Sequence, residues 1–410
     1  MSFVDVARSA GNQLWLVSPP RRRAAAAEGF YLPPDPLGPG APGDLIRAEP
    51  MDAYLAPGVR LRGRAWRVLY RSTSAIGEPT AVSGTVLIPA GSWRGARSTR
   101  SPRPLIGYAA GTHGIGDVAA PSRLLARGLE WEAGLIAMVL ARGWAVAVTD
   151  YQGLGTPGDH TYMVGRALGP NVLDAMRAAR ALAPAELPVE GPAAIIGYSE
   201  GGAAAGWAAQ LQPTYAPDVP LVGVAAGAAA ADLETAGPQL DGTFFSFFIA
   251  YGGIGYAAAY PELELDPYLT PTAKQGIAAL RRSTIVQAML SGPRFIRAAD
   301  LTQPNVMELP AWRRRLRQNR LGGIAPAAPV LLHHCRRDQI VSFAQSVGLR
   351  DEWQRLGADV RLYVTRGGVE HISAGVAGMP VAVGWVARRL ARLTRPAPPR
   401  ADGLPTRRAA

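Results

Sequence analysis

Short apolar runs alternate with longer amphipathic stretches over most of this chain, and the alternation predicts its elements. Trp66 to Tyr70 and Ala81 to Ile88 read as two early strands, the second alternating and then apolar. Pro104 to Ala109, Ala145 to Thr149, Ala193 to Ile196, Pro220 to Ala226, Pro329 to His333 and Val360 to Val364 have the length of short buried strands. Helical patterns separate them, over about Leu125 to Arg142, Asn171 to Ala183, the small-residue run after Gly201, and Val376 to Leu393. Strands alternating with helices of this length need crossover connections. The expected class is α/β, with a mainly parallel central sheet and helices on both faces.

Two stretches break the alternation. Residues 1–60 are rich in proline and glycine, notably Leu32-Pro33-Pro34-Asp35-Pro36 and Gly38-Pro39-Gly40, and are expected to wrap the core as an irregular segment. Residues 231–326 are too long for a simple connection and carry helical signals around Thr272 to Arg282 and Pro310 to Arg320. They read as a helical cap inserted above the sheet, between core parts at 61–230 and 327–394. Residues 395–410, rich in proline, read as a disordered tail. The apolar segment Phe244 to Tyr260 approaches membrane-spanning length, but two glycine breaks make it a buried or interfacial element instead of a span.

The chemistry concentrates at Gly197-Tyr198-Ser199-Glu200-Gly201. An apolar strand precedes it and a helix packed through small residues follows. A serine on such a turn projects its hydroxyl from a strained backbone, next to a helix N-terminus that stabilises negative charge. A serine hydroxyl becomes a useful nucleophile only when a histidine accepts its proton and an acid fixes the imidazole. On sheets with this turn the chain order is serine, acid, histidine. His113 and His160 precede Ser199, and His333 and His334 end a strand, which leaves His371. It follows the last strand through Thr365-Arg366-Gly367-Gly368, a flexible loop suited to lowering the ring over the sheet. Asp338, in the turn after Val330 to His334, is the expected acid, with Glu370 the weaker rival. For the oxyanion donors the expected groups are the Glu200 N–H and the loop Gly111-Thr112-His113-Gly114, with Thr112 and Gly111 favoured and His113 only a loop residue. Within the cap, Phe244, Phe248 and Tyr251 are the candidate substrate contacts.

Composition narrows the partners. The net charge of +12 comes almost wholly from arginine, with Lys274 the one lysine. The clusters Arg21-Arg22-Arg23, Arg313-Arg314-Arg315 and Arg388, Arg389, Arg392 and Arg395 are not interleaved with aromatics, so nucleic acid is not an expected partner. The single Cys335 excludes an intramolecular disulfide and a cysteine-rich zinc site. Gly153 to Gly158 matches a dinucleotide fingerprint, but Pro157, Gly158 and Asp159 predict a continuing loop where that fingerprint needs a helix. Met1 to Pro20 lacks the pattern of a signal peptide, so the sequence as given predicts a cytoplasmic or cell-associated protein.

The combination of motifs resembles the secretory lipase family, similar to Candida lipase A within the α/β-hydrolase superfamily. The matching residues are Gly29-Phe30-Tyr31, Gly43-Asp44-Leu45-Ile46-Arg47, Gly111-Thr112, Ala120-Pro121-Ser122, Asp150-Tyr151-Gln152-Gly153-Leu154-Gly155, Gly197 to Gly202, and Leu211-Gln212-Pro213. The resemblance implies serine-dependent hydrolysis of lipid esters beneath a helical lid, with no metal or organic cofactor. Two features depart from the family pattern. Ala119 stands where a cysteine is common, and the usual secretion signal is missing. A lipid-binding protein without turnover, and an amidase or peptidase on the same fold, are the alternatives.

Overall fold

The structure is a computed structural model and describes residues 29–91, 93, 102–292 and 294–393. The N-terminal arginine cluster and the expected tail lie outside the described residues. The strands are β1 (Leu45–Met51), β2 (Tyr54–Ala56), β3 (Val59–Arg60), β4 (Gly63–Thr73), β5 (Pro79–Pro89), β6 (Leu105–Ala109), β7 (Ala145–Thr149), β8 (Ala193–Tyr198), β9 (Leu221–Gly227), β10 (Val330–His334) and β11 (Val360–Val364). Nine of them form one sheet in the order β1-β4-β5-β7-β6-β8-β9-β10-β11. Pairing is antiparallel from β1 to β7 and parallel from β7 to β11, so the chemistry-bearing half is the parallel half.

Helices α1 (Pro121–Leu125), α2 (Ala133–Leu140), α3 (Gly165–Ala181) and α4 (Glu200–Tyr215) fill the first crossovers. Between β9 and β10 the chain runs through α5 (Leu233–Leu240), α6 (Phe247–Ala259), α7 (Pro271–Leu280), α8 (Ile285–Ser291), α9 (Ala298–Leu301) and α10 (Pro310–Gln318), with no strand among the described residues. Helices α11 (Phe343–Arg355) and α12 (His371–Leu393) complete the fold. Helices α3 and α4 pack on each other and on the sheet, and α2 and α12 form a second such pair. The main core surrounds the sheet. A second apolar cluster, including Phe247, Tyr251, Tyr256 and Trp312, holds the inserted helices together.

Three expectations change. The segment 1–60 contains β1, where Glu49 faces Arg67 across the β1–β4 register and the two side chains pair, and the separate β2–β3 ladder. The single helix expected from Leu125 to Arg142 is two short ones. Gly128 adopts φ +71°, where an added Cβ would meet the Ala56 carbonyl carbon at 2.5 Å, and the break turns Glu130 and Glu132 inward. The last helix starts at His371 instead of Val376. The apolar segment from Phe244 forms α6, and among the described residues no helix is long and apolar enough to cross a membrane.

Several of the sequence motifs meet around one carboxylate. Asp150, just after β7, accepts from the Ser122 N–H at 2.7 Å, from the Ser122 hydroxyl, and from the Ser83 hydroxyl at 2.6 Å. Tyr31 bonds Ser122 Oγ at 3.0 Å while Arg123 lies over its ring, so this network ties the N-terminal segment to the core. Asp150→Ala leaves buried donors unpaired and is expected to lower stability by about 2 kcal/mol or more. An unchanged urea midpoint would show that the network contributes nothing.

Candidate active site

Strand β8 ends at Tyr198 and α4 begins at Glu200, which leaves Ser199 alone on the turn between them. Its backbone stands at φ 61° and ψ −119°, a region that side-chain-bearing residues avoid. The Ser199 N–H donates to the Gly227 carbonyl of β9 at 2.9 Å. Glycine is required on both sides. A Cβ on Gly197 would meet the Gly201 carbonyl oxygen at 2.1 Å, and one on Gly201 would meet that of Ala109 at 2.0 Å.

Ser199 Oγ lies 2.8 Å from His371 Nε2, and His371 Nδ1 lies 2.6 Å from Asp338 Oδ2. A carboxylate only accepts, so Nδ1 carries the proton and Nε2 is left to accept from the serine hydroxyl. The imidazole is not lowered by a loop, as the sequence suggested, but stands on the first turn of α12. Glu370 accepts from the N–H groups of Ile372 at 2.8 Å and Ser373 at 2.5 Å, so this rival acid is engaged as a helix cap. The Tyr198 hydroxyl donates to the His371 carbonyl at 2.7 Å and the His371 N–H donates to Gln339 at 3.0 Å, which holds the backbone that carries the ring.

Asp338 is held by more than the histidine. Its Oδ1 accepts from the N–H groups of Ile340 and Val341 at 2.9 and 2.8 Å, and its Oδ2 also lies 3.1 Å from His334 Nε2. His334 Nδ1 in turn lies 2.8 Å from Ser346 Oγ. Burial raises the Asp338 pKa, but the hydrogen bonds from His334 and His371 outweigh it and keep the carboxyl well below the usual range. The His334 contact escaped sequence reasoning, although a histidine four residues before the acid, at a strand end, was a usable signal.

The loop after β6 lies beside the serine, but Gly111 does not offer its N–H. That group donates to Glu132 Oε2 at 3.2 Å, which corrects its expected place as an oxyanion donor. Thr112 lines the cleft next to Ser199 and its hydroxyl bonds Tyr162 at 3.1 Å. Glu200 begins α4 with its side chain buried and bonded to His160 Nε2 at 2.8 Å. Neither this pair nor the buried group His113, Glu130 and Glu132 was legible in the sequence, since each joins residues far apart in the chain.

An apolar cleft of about 150 Å³ opens over Ser199 and His371. Phe245, Phe248, Ile285, Val286 and Met289 line its cap side, and Trp131 and Leu135 its core side. Of the three expected contacts only Phe248 is among the lining residues. Phe244 packs against Phe245 and Phe295, outside the lining. Tyr251 is fully buried in the cap cluster, with its hydroxyl bonded to Ser283 at 3.0 Å. The loop from Gly153 to Gly158 forms turns, and the next helix begins only at Gly165, as the sequence reading required.

Known proteins resemble this chain in sequence and in fold. The chain is 27% identical over 378 residues to the "Secreted triacylglycerol lipase LIP7" of Malassezia globosa, covering 88% of this chain and 78% of that protein. It is also 27% identical over 377 residues to a Mycobacterium tuberculosis protein named "Probable inactive lipase MT1628", covering 88% of this chain and 81% of the relative. The fold is similar to that of Candida antarctica lipase A, with a TM-score of 0.79 at 22% identity, over 91% of this chain and 87% of that one. The profile of the Secretory lipase family matches residues 119–395, and the chain therefore belongs to that family, on an α/β-hydrolase fold.

Proposed function

We propose that the protein is an active carboxylic ester hydrolase that acts on lipid esters through an acyl-enzyme on Ser199. The observation that carries this reading is the hydrogen-bonded line from Ser199 Oγ through His371 to Asp338, opening on an apolar cleft. As Oγ attacks the ester carbonyl, its proton passes to Nε2, and the imidazolium that forms lies against the ionised Asp338. The oxyanion that develops takes the N–H groups of Glu200 and Thr112. Nε2 then returns its proton to the leaving alkoxide, and water releases the acyl group by the same relay.

The cap side of the cleft supports a lipid acyl group as the ligand. Phe245 and Phe248 present apolar area there, and burying one such side chain contributes roughly 1.5–3 kcal/mol. Leu290 and Phe295 expose further apolar surface on the cap, and Ile372 does so on the core side of the cleft, which fits contact with a lipid interface under a cap at 231–326 that moves. The relative named as an inactive lipase favours a second reading, a hydrolase fold that binds lipid without turnover. Wild-type protein with no measurable hydrolysis of any acyl ester would support that reading over ours.

Ser199→Ala is expected to lower kcat on a p-nitrophenyl ester about a millionfold, because members of such a relay fail as a unit. A variant with near-normal turnover would remove Ser199 from the mechanism.

Phe245→Ala with Phe248→Ala is expected to lower kcat/KM for octanoate and longer esters by tenfold or more beyond its effect on acetate esters. Equal losses on both would place these rings in the cap's own packing and not in acyl recognition.

A further inference from the structure

Gly111 is gripped from both sides by groups outside the Ser199 relay. Its N–H donates to Glu132, and its carbonyl accepts from His113 Nδ1 at 2.7 Å. The other ring nitrogen, Nε2, lies 2.5 Å from Glu130 Oε1, which also accepts from the Glu132 N–H at 2.8 Å. All three side chains are buried, and the His113 ring stacks on Trp131 with centroids 5.2 Å apart. Both nitrogens of His113 face acceptors, so both carry protons and the ring is an imidazolium paired with Glu130. No ring lone pair is left for a cation, and the cluster is a proton-bridged pair.

The Gly111 carbonyl and the Thr112 N–H belong to one peptide unit, and that unit is trans. In a trans peptide the two groups point to opposite sides of the C–N bond. Drawing the carbonyl oxygen toward the buried His113 turns the Thr112 N–H the other way, and Thr112 lines the cleft beside Ser199. We propose that Glu130 and His113 are a positioning pair that fixes this peptide plane and so aims the Thr112 N–H at the oxyanion. Neither side chain touches substrate, and both act through the backbone they orient. The inference rests on the acyl-enzyme reading above.

The pair also carries a pH signature. Burial lowers the His113 pKa, but the Glu130 and Glu132 carboxylates outweigh it and raise the group to about 9. Glu132 is itself pushed up to about 7, first by burial, and the Tyr108 hydroxyl on β6 lies beside it. The imidazolium therefore holds both of its bonds through neutral pH and loses one as pH rises through about 9.

Kinetics of His113→Phe, His113→Asn, Glu130→Gln and Ser199→Ala on a short acyl ester, followed by acid release from pH 6 to 10, test the assignment. Phenylalanine keeps the ring and its stacking but donates nothing, and asparagine restores an N–H near the Nδ1 position. His113→Phe is expected to lose about 10–100-fold in kcat at little-changed KM, less than the roughly 10²–10³ that deleting an oxyanion donor costs. His113→Asn should recover most of that loss. Glu130→Gln should move the alkaline limb of kcat down from near pH 9 by a unit or more. Wild-type kcat in His113→Phe, or an unmoved limb in Glu130→Gln, overturns the pair. If the phenylalanine variant does not fold, the asparagine and glutamine variants decide by the same criteria of kcat and limb position. Turnover that survives in Ser199→Ala overturns the underlying reading instead, which separates the two failures.

Discussion

Ser199 occupies a backbone conformation that costs about 1–3 kcal/mol, and the site can exist only while its surroundings hold it there. Strand β8 lies between β6 and β9 inside the sheet, so the strand side of the turn cannot relax sideways. On the helix side, Gly201 and Gly202 bring α4 within contact of the Ala109 and Gly227 carbonyls, where any side chain would collide. The strained turn lifts Oγ above the carboxyl edge of the parallel strands. Thr112 arrives there after β6, Asp338 after β10 and His371 after β11, so one sheet edge gathers the groups of the proposed mechanism.

The cap is stitched to the loop it covers. The Ile285 N–H at the start of α8 donates to the His113 carbonyl at 2.7 Å, and the Ser283 carbonyl accepts from Ile115 and Gly116 at 3.2 and 3.1 Å. Helix α8 also supplies Ile285, Val286 and Met289 to the cleft. Apolar lining and backbone geometry at Thr112 are thus coupled through one short segment. A displacement of α8 strong enough to open the cleft would be felt at the loop that carries Thr112, the proposed oxyanion donor.

The parts of the site that local pattern controls were readable in the sequence. Gly197 to Gly202 gave away the turn, because only glycine permits such close backbone approach, and chain order left His371 with Asp338. What the sequence concealed depends on tertiary closure. Strand β1 was hidden because its partners are split between a charged cross-strand pair and half-buried positions, which blurs alternation. The break at Gly128 looked like continuous helix until the Ala56 backbone packed against it. The aromatic run in the cap showed apolar character but not direction, so of the expected rings only Phe248 lines the cleft, beside Phe245, while Phe244 and Tyr251 do not. Gly111 was favoured as a donor because nothing local announces that a carboxylate 21 residues later will occupy its N–H.

The central claim is that Ser199 is the activated nucleophile, and a covalent trap reads this most directly. Intact-protein mass spectrometry after treatment with an alkyl fluorophosphonate, followed by peptide mapping, is expected to show one adduct, on the peptide carrying Ser199. An unmodified protein, or an adduct on any other residue, would contradict the account.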